Sequence, residues 1–393
     1  MKISTPQIDS TDINSIHKVL KSNWISTSSN VVKEFEKKIC KYVKTKYCLA
    51  LNSGTTAIHL ALKIIGVKEN DEILLPSISF VGSVNPVLYL KAKPVFFDVD
   101  ENNNLKINDL LRFLSEETYF KNNNTYNKKT KNIIKAIIIV HMWGNPCDFI
   151  KIKKICKKNN IKIIEDAAEA LGSTIKISKN KFLNCGVIGD IGCFSFNANK
   201  IITTASGGAL VTNNKKYYQK ASYLANQAKD DTYNYIHNEC GYNYKMTGIN
   251  AGLGISQLSR IRLKINKRKK IFHEYKKNFK NIESISLNES TSRVKVNHWI
   301  NILYFHKSSY EFTNDLSKYL KKFNIETRRI WRPLHLQKYL TKYQTYKVKN
   351  STLFYNNSIC LPSDERLKIS EIKKICTKIK LFYKRFYKPN NIK

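Results

Sequence analysis

Long apolar runs are missing from this 393-residue chain. No stretch of about 18 consecutive apolar residues occurs, which excludes an ordinary membrane-spanning helix. The first residues, Met1-Lys2-Ile3-Ser4-Thr5-Pro6-Gln7, lack the apolar centre of a secretory leader. A cytoplasmic protein is the resulting expectation. Nine cysteines, at 40, 48, 147, 156, 185, 193, 240, 360 and 376, form no C-x-x-C pair or other metal-ligand spacing. The odd count and the spacing argue against a disulfide framework and a zinc site. Free, mostly buried thiols in a reducing compartment are expected instead. No internal repeat is present.

Acids are scarce too. Asp and Glu number 30 against 68 Lys and Arg, a formal charge of +38. Such an excess suits nucleic acid or an anionic membrane. Yet no zinc finger, RNA-recognition signature or basic-aromatic repeat accompanies it, and the charge is scattered rather than held in one block. Lysine, asparagine and isoleucine are all abundant, as AT-rich codon usage dictates. The charge therefore reads as background, with neither nucleic acid nor membrane as a partner, although an anionic substrate would benefit from the field. Hydrophobic residues make up 42% and aromatics 11%, enough at this length for a large core and two domains.

Apolar positions Val31, Val32, Phe35, Ile39 and Tyr42 recur at helical spacing. A strand, Cys48–Leu51, runs into Asn52-Ser53-Gly54-Thr55-Thr56, and Ala57, Leu60, Ala61 and Ile64 then share a helical face. Strands are predicted at Glu72–Leu75, Pro94–Phe97, Ala136–Val140 and Lys162–Ile164, with a helix around 148–158. This alternation predicts an α/β fold with a largely parallel sheet. Residues 121–132 read as a polar surface loop. Lysine-rich helices follow residue 250, and a last helix over about 369–388 carries Ile372, Ile375, Ile379, Phe382 and Phe386 on one side. Such a basic amphipathic helix can lie on a membrane, but packing on its own domain is the expectation.

Three segments carry chemistry. Gly54-Thr55-Thr56 opens a helix, where free N–H groups and the dipole favour a phosphate; alone, the same turn is an ordinary cap. Asp166 ends a strand in Ile163-Ile164-Glu165-Asp166-Ala167-Ala168-Glu169, the usual place for ligand groups in an open α/β sheet. Glu169 falls beside it if the segment turns helically, near a cofactor oxygen or a proton path, or else as a solvated acid. Lys200 sits in Phe194-Ser195-Phe196-Asn197-Ala198-Asn199-Lys200-Ile201-Ile202-Thr203-Thr204, unlike most lysines here, which lie in polar runs. Its amine must be neutral to attack an aldehyde, which apolar neighbours favour. A Schiff-base lysine with an aspartate for a ring nitrogen is what a pyridoxal phosphate enzyme needs. Ser195 can donate to the phosphate, and Ala205-Ser206-Gly207-Gly208 allows close backbone approach.

In order along the chain stand N-S-G-T-T-A-I-H-L-A-L (52–62), L-P-S-I-S-F-V-G-S (75–83), K-A-K-P-V-F-F-D-V-D (91–100), I-E-D-A-A-E-A-L-G-S (164–173), the lysine segment, G-Y-N-Y-K-M-T (241–247) and I-E-T-R-R-I-W-R-P-L-H (325–335). This series resembles the DegT/DnrJ/EryC1/StrS family of nucleotide-sugar aminotransferases nearly end to end. The resemblance implies a fold type I architecture, with a large pyridoxal phosphate-binding domain over 1–250 and a smaller C-terminal α/β domain over 251–393. It implies Lys200 as the Schiff-base lysine, Asp166 as the pyridinium partner, Glu169 near the reaction, and Thr55, Thr56 and Ser195 on the phosphate beside Gly54. Phe80 would stack on the cofactor, and Asn243 would reach the phosphate of a neighbouring subunit in a homodimer. Arg328 and His335 would line the sugar-nucleotide side, each with an even structural alternative.

Glu169 stands where many members have histidine or glutamine, Ser206 where many have glutamate, and Lys245 replaces the usual arginine. Ser26-Thr27-Ser28-Ser29 replaces a glycine-bearing turn, and the hairpin between Gly172 and Gly186 is slightly long. The Glu169, Asn197-Ala198-Asn199-Lys200 and Ser206-Gly207-Gly208 variants are similar to the branch that aminates UDP-linked 4-keto-6-deoxy-N-acetylhexosamines for bacillosamine and legionaminic acid, surface-glycan sugars. The implied reaction takes an amino group from an amino acid, L-glutamate, to C4. Amination at C3, a dTDP- or GDP-linked sugar, or a non-enzymatic polyanion-binding protein are the rival readings. Lys200 disfavours the family's dehydratases, which carry histidine there.

Overall fold

The computed structural model describes residues 1–179 and 181–386. An eight-stranded sheet forms its centre, in the order Tyr47–Leu51, Gly208–Thr212, Ile191–Ser195, Lys162–Asp166, Ile134–Val140, Glu72–Pro76, Lys93–Phe97 and Thr345–Tyr346. Only Gly208–Thr212 runs against the others. The expected strands are all in this sheet, and the α/β expectation holds.

Both faces of the sheet are covered, which explains why its strands are apolar without alternation. Ala136, Ile138 and Val140 enter the core on one face, and Ile137 and Ile139 enter the core on the other. Helices Asn30–Val43, Gly54–Ile64 and Ile150–Lys158 arise from the helical periodicities. A second, four-stranded antiparallel sheet, Ile285–Leu287, Asn301–Phe305, Ser358–Leu361 and Arg328–Arg329, has its own core with helices Ile261–Phe279, Tyr310–Lys321 and Ile369–Phe386.

Residue 250 falls inside helix Gly248–Ser259, which packs on helices Ser10–Lys21 and Asn30–Val43. The chain also crosses back between the two sheets. Thr345–Tyr346 joins the edge of the large one, while the Ser363 N–H donates to the Ile3 carbonyl beside the small one.

Two expectations need correction. Residues 121–132 are not a plain surface loop: Thr118–Lys121 and Asn124–Asn127 pair as a hairpin. Its turn residues Asn122 and Asn123 have φ of 49° and 58°, a left-handed conformation that asparagine tolerates and hairpin turns require. Buried Asn127 donates to Glu72 Oε2 at 2.8 Å and to Gln344 Oε1 at 2.9 Å, so its polarity is satisfied inside. The last helix packs Ile372, Ile375, Ile379 and Phe382 into its own core, but Phe386 is exposed. Residues 387 and 388 lie outside the described residues. Among the described residues no helix is long and apolar enough to cross a membrane. Seven of the nine cysteines are buried.

Candidate active site

Strand ends of the large sheet open into a cleft of about 300 Å³. Its wall holds Gly54, Thr55, Phe80, Asp166, Glu169, Ser195 and Lys200, seven of the residues that the sequence marks. Distant segments meet here because neighbouring parallel strands release their loops on the same side.

Asp166 closes the strand Lys162–Asp166 and is buried. Its Oδ2 accepts the Ser83 hydroxyl at 2.5 Å and its Oδ1 accepts the Ala168 N–H at 3.1 Å. Burial raises its pKa above the ordinary carboxylate value, against the lowering effect of these donors and of Lys200. Glu169, also buried, accepts the Trp143 N–H at 2.6 Å on Oε2 and Lys200 Nζ at 3.3 Å on Oε1. Burial raises its pKa too, with Lys200 as the main opposing influence. Trp143 adopts φ 51° and ψ 27°, a left-handed conformation that turns its N–H to this carboxylate.

Lys200 follows the strand Ile191–Ser195 in a tight turn, its N–H donating to the Asn197 carbonyl at 3.0 Å. The amine meets a carboxylate and an indole rather than the apolar shell expected from its neighbours. Nζ lies 3.9 Å from the Trp299 ring centroid, while Phe196 turns inward against Phe35. The Asn199 carbonyl, just before the lysine, accepts Trp299 Nε1 at 2.6 Å and the Ser4 hydroxyl at 2.9 Å, which fixes the turn.

Ser53 caps helix Gly54–Ile64 by accepting the Thr56 N–H at 3.1 Å. Gly54 and Thr55, in the first turn of this helix, line the cleft end, and the first N–H groups of a helix have no partner within it. A Cβ on Gly54 would stand 2.9 Å from Ser195 Cβ, so glycine lets this helix start approach the neighbouring strand. Phe80 is 56% exposed and covers one side, its ring 5.6 Å from that of Trp331.

The remaining marked residues lie off the cleft wall. The Thr56 hydroxyl turns back to Asn52 Oδ1 at 2.8 Å. Asn243 is exposed, its carbonyl accepting Asn52 Nδ2 at 3.4 Å. Arg328 is exposed and pairs with Glu326 at 2.8 Å. His335 is half-buried, 2.5 Å from the Ser77 hydroxyl and 3.5 Å from that of Thr352, with its pKa lowered by burial.

Sequence reasoning passed over Ser79, Ser83, Trp299 and Trp331, all of which line the cleft. Tryptophan scarcity was a usable signal. Of four in the chain, two line the cleft and Trp143 holds Glu169. Trp331 Nε1 and Asn199 Oδ1 are buried there without a protein partner. Buried polar atoms are seldom left so, and a group bound in the cleft would be placed to pair with them.

The donor set fits pyridoxal phosphate. A primary amine pairs with buried Glu169 in the same cleft as buried Asp166, the hydrogen bonds to Asp166 come from neutral groups, and the helix start at Gly54 and Thr55 shares the cleft wall with Ser195, where a phosphate would sit.

A family model for DegT/DnrJ/EryC1/StrS aminotransferases matches residues 6–380. The chain belongs to that family. The resemblance read from its motifs therefore holds, and with it the fold type I architecture and a pyridoxal phosphate-dependent sugar aminotransferase activity. This aminotransferase is 33% identical over 370 residues to the GDP-perosamine synthase of Escherichia coli O157:H7, covering 94% of both chains. It is 30% identical over 374 residues to the UDP-4-amino-4,6-dideoxy-N-acetyl-beta-L-altrosamine transaminase of Campylobacter jejuni, again over 94% of both. Among solved structures it is similar to Spr1654 from Streptococcus pneumoniae in its PMP-form, with TM-score 0.88 and 25% identity over 98% of this chain and 100% of that one. Spr1654 is also known in a PLP-form.

Proposed function

We propose that this aminotransferase carries an amino group from L-glutamate to C4 of a nucleotide-linked 4-keto-6-deoxyhexose. Our first substrate is a UDP-linked N-acetylhexosamine. The reading rests on one observation above others: Lys200, from the turn after strand Ile191–Ser195, meets Asp166 and Glu169, from the end of strand Lys162–Asp166 and the turn after it, in one cleft. The UDP and C4 assignments draw support from the Campylobacter transaminase and from the Glu169, Asn197–Lys200 and Ser206–Gly208 segments. A GDP-linked sugar is the second reading, favoured by the higher identity to a GDP-perosamine synthase.

Pyridoxal phosphate, when bound, supplies an aldehyde for amines and a protonated ring that withdraws electrons. The chain does the rest. Lys200 Nζ would take the proton from the donor's amine-bearing carbon and pass it to the cofactor carbon in the first half-reaction, and would carry a proton from there to C4 of the sugar in the second. Glu169 Oε1 and the Trp299 face hold that amine in place between transfers. Asp166 orients the ring nitrogen, and Phe80 shields one face from water. Gly54, Thr55 and Ser195 bind the phosphate, and the Thr56 hydroxyl, bonded to Asn52, holds the turn that carries Gly54 and Thr55.

Arg328 and His335 are assigned to the nucleotide-sugar side, the arginine as a charged contact and the histidine through the strand end at Ser77. Exposed Asn243 is assigned to the active site of a second copy in a homodimer. Mixing inactive Lys200→Ala with Asn243→Ala copies then restores activity, because hybrids contain one intact site; no recovery removes the shared site.

The substrate assignment is tested with UDP-, GDP- and dTDP-linked 4-keto-6-deoxy sugars and L-glutamate, with NMR of the product. Ping-pong kinetics and an axial or equatorial amine at C4 are the expected readouts. An amine at C3 rejects the assignment. Full activity in Lys200→Ala rejects the mechanism.

A further inference from the structure

In the cleft wall runs a short chain of buried hydroxyls. Ser79 Oγ lies 2.6 Å from Ser83 Oγ, and Ser83 Oγ lies 2.5 Å from Asp166 Oδ2. All three side chains are at most 5% exposed. The short helical turn Val81–Ser83 makes this possible. It brings residues 79 and 83 together below the backbone while Phe80 projects over the cleft. One segment thus supplies both an aromatic cover and a donor to the carboxylate.

The proton direction follows from hydroxyl chemistry. A serine has one proton to give, and an ionised carboxylate can only accept. Ser83 gives its proton to Asp166, so Ser79 donates to Ser83. The contact is charge-assisted, short and buried. It favours the ionised aspartate, where burial works the other way. With Oδ2 turned to Ser83 and Oδ1 near the Ala168 N–H, the carboxylate plane is set by two fixed donors. Lys200 also acts electrostatically on it, and Glu169 stands nearby as a like charge. These charges alone leave its orientation free; the hydroxyl does not.

We propose that Ser83, backed by Ser79, is the positioning residue that keeps Asp166 ionised and aimed at a cofactor ring nitrogen. The inference rests on the assignment of Asp166 to that nitrogen. It says that Ser83 acts through Asp166 and through one ring atom, and not through the shape of the cleft.

The test uses the full chain stripped of cofactor, and compares its affinity for pyridoxal phosphate with that for the 1-deaza analogue, which has carbon in place of the ring nitrogen. Ser83→Ala should weaken pyridoxal phosphate binding about tenfold or more, the worth of a hydrogen bond to a charged group. Binding of the deaza analogue should stay unchanged, and Ser83→Thr should restore the preference. Equal weakening of both ligands, or of neither, overturns the role of Ser83 if Asp166→Asn still abolishes the preference. If the unaltered protein and Asp166→Asn treat both ligands alike, the Asp166 assignment itself fails and the inference with it. Circular dichroism of each variant checks that it is folded.

Discussion

Glu169 Oε1 stands 3.3 Å from Lys200 Nζ while Oε2 accepts the Trp143 N–H at 2.6 Å. The carboxylate is thus pinned at one oxygen and free to hold the amine with the other. A histidine or glutamine there would bring no negative charge. This chain pairs Lys200 with a buried anion, and a pH dependence follows.

Burial holds Glu169 above the usual carboxylate range near 4.3. Lowering pH therefore neutralises it earlier than an exposed glutamate, and its grip on Lys200 weakens. The acid limb of kcat/KM should lie above that range. Glu169→Gln should remove this limb and lower kcat about tenfold or more, within the usual contribution of a proton-transfer group. A pH–rate profile with an unchanged acid limb in the variant rejects the role.

Asp166→Asn separates stability from binding. The folded protein binds the Asp166 proton more tightly than the unfolded chain, whose aspartates titrate near 3.9. Its stability contribution is full below that value and is lost as pH rises through the raised folded value. Removing the charge should therefore raise the melting temperature of the cofactor-free protein by about 1–3 °C at pH 8. The gain should vanish toward pH 4, and cofactor affinity should fall. Scanning calorimetry at the two pH values decides this; equal gains at both would contradict the linkage.

Gly54→Ala probes the close approach at the helix start. The added Cβ would press on Ser195 Cβ at 2.9 Å, so one element must shift. Alanine itself suits a helical first turn, so the fold should survive. Cofactor affinity should fall about tenfold, the effect of about 1.4 kcal/mol. Fluorescence titration with pyridoxal phosphate measures it, and affinity equal to the parent refutes a phosphate site at this turn.

Glu165, next to Asp166, serves the fold. It accepts from Gly186, Ile188 and Gly189 N–H groups at 2.6–2.8 Å and from His141 Nε2 at 3.0 Å. His141 Nδ1 accepts the Cys147 N–H at 3.1 Å, which leaves Nε2 as the donor. Glu165→Gln would aim an amide N–H at groups that already donate. A loss of about 2–4 kcal/mol in urea unfolding is expected, the cost of breaking a buried polar cluster. A loss under half a kcal/mol would show that the cluster rearranges freely.

Sequence alone was enough for the sheet and for most of the marked residues that meet in the cleft. Apolar strands and helical periods stand in local order, and Lys200, Asp166 and Gly54 lie in segments whose local composition sets them apart. Their motifs stand in the order of the DegT/DnrJ/EryC1/StrS family. The hairpin at Thr118–Asn127 was hidden because its buried polar residues are satisfied by Glu72 and Gln344, far away in the chain. Ser83 looked like any serine, since its weight comes from an aspartate 83 positions on. Trp299 and Lys200 are brought together only when the second sheet docks against the first. Periodicity and residue type encode what each segment buries; which side chains then touch across the cleft depends on how those buried faces meet, and only the folded packing decides that.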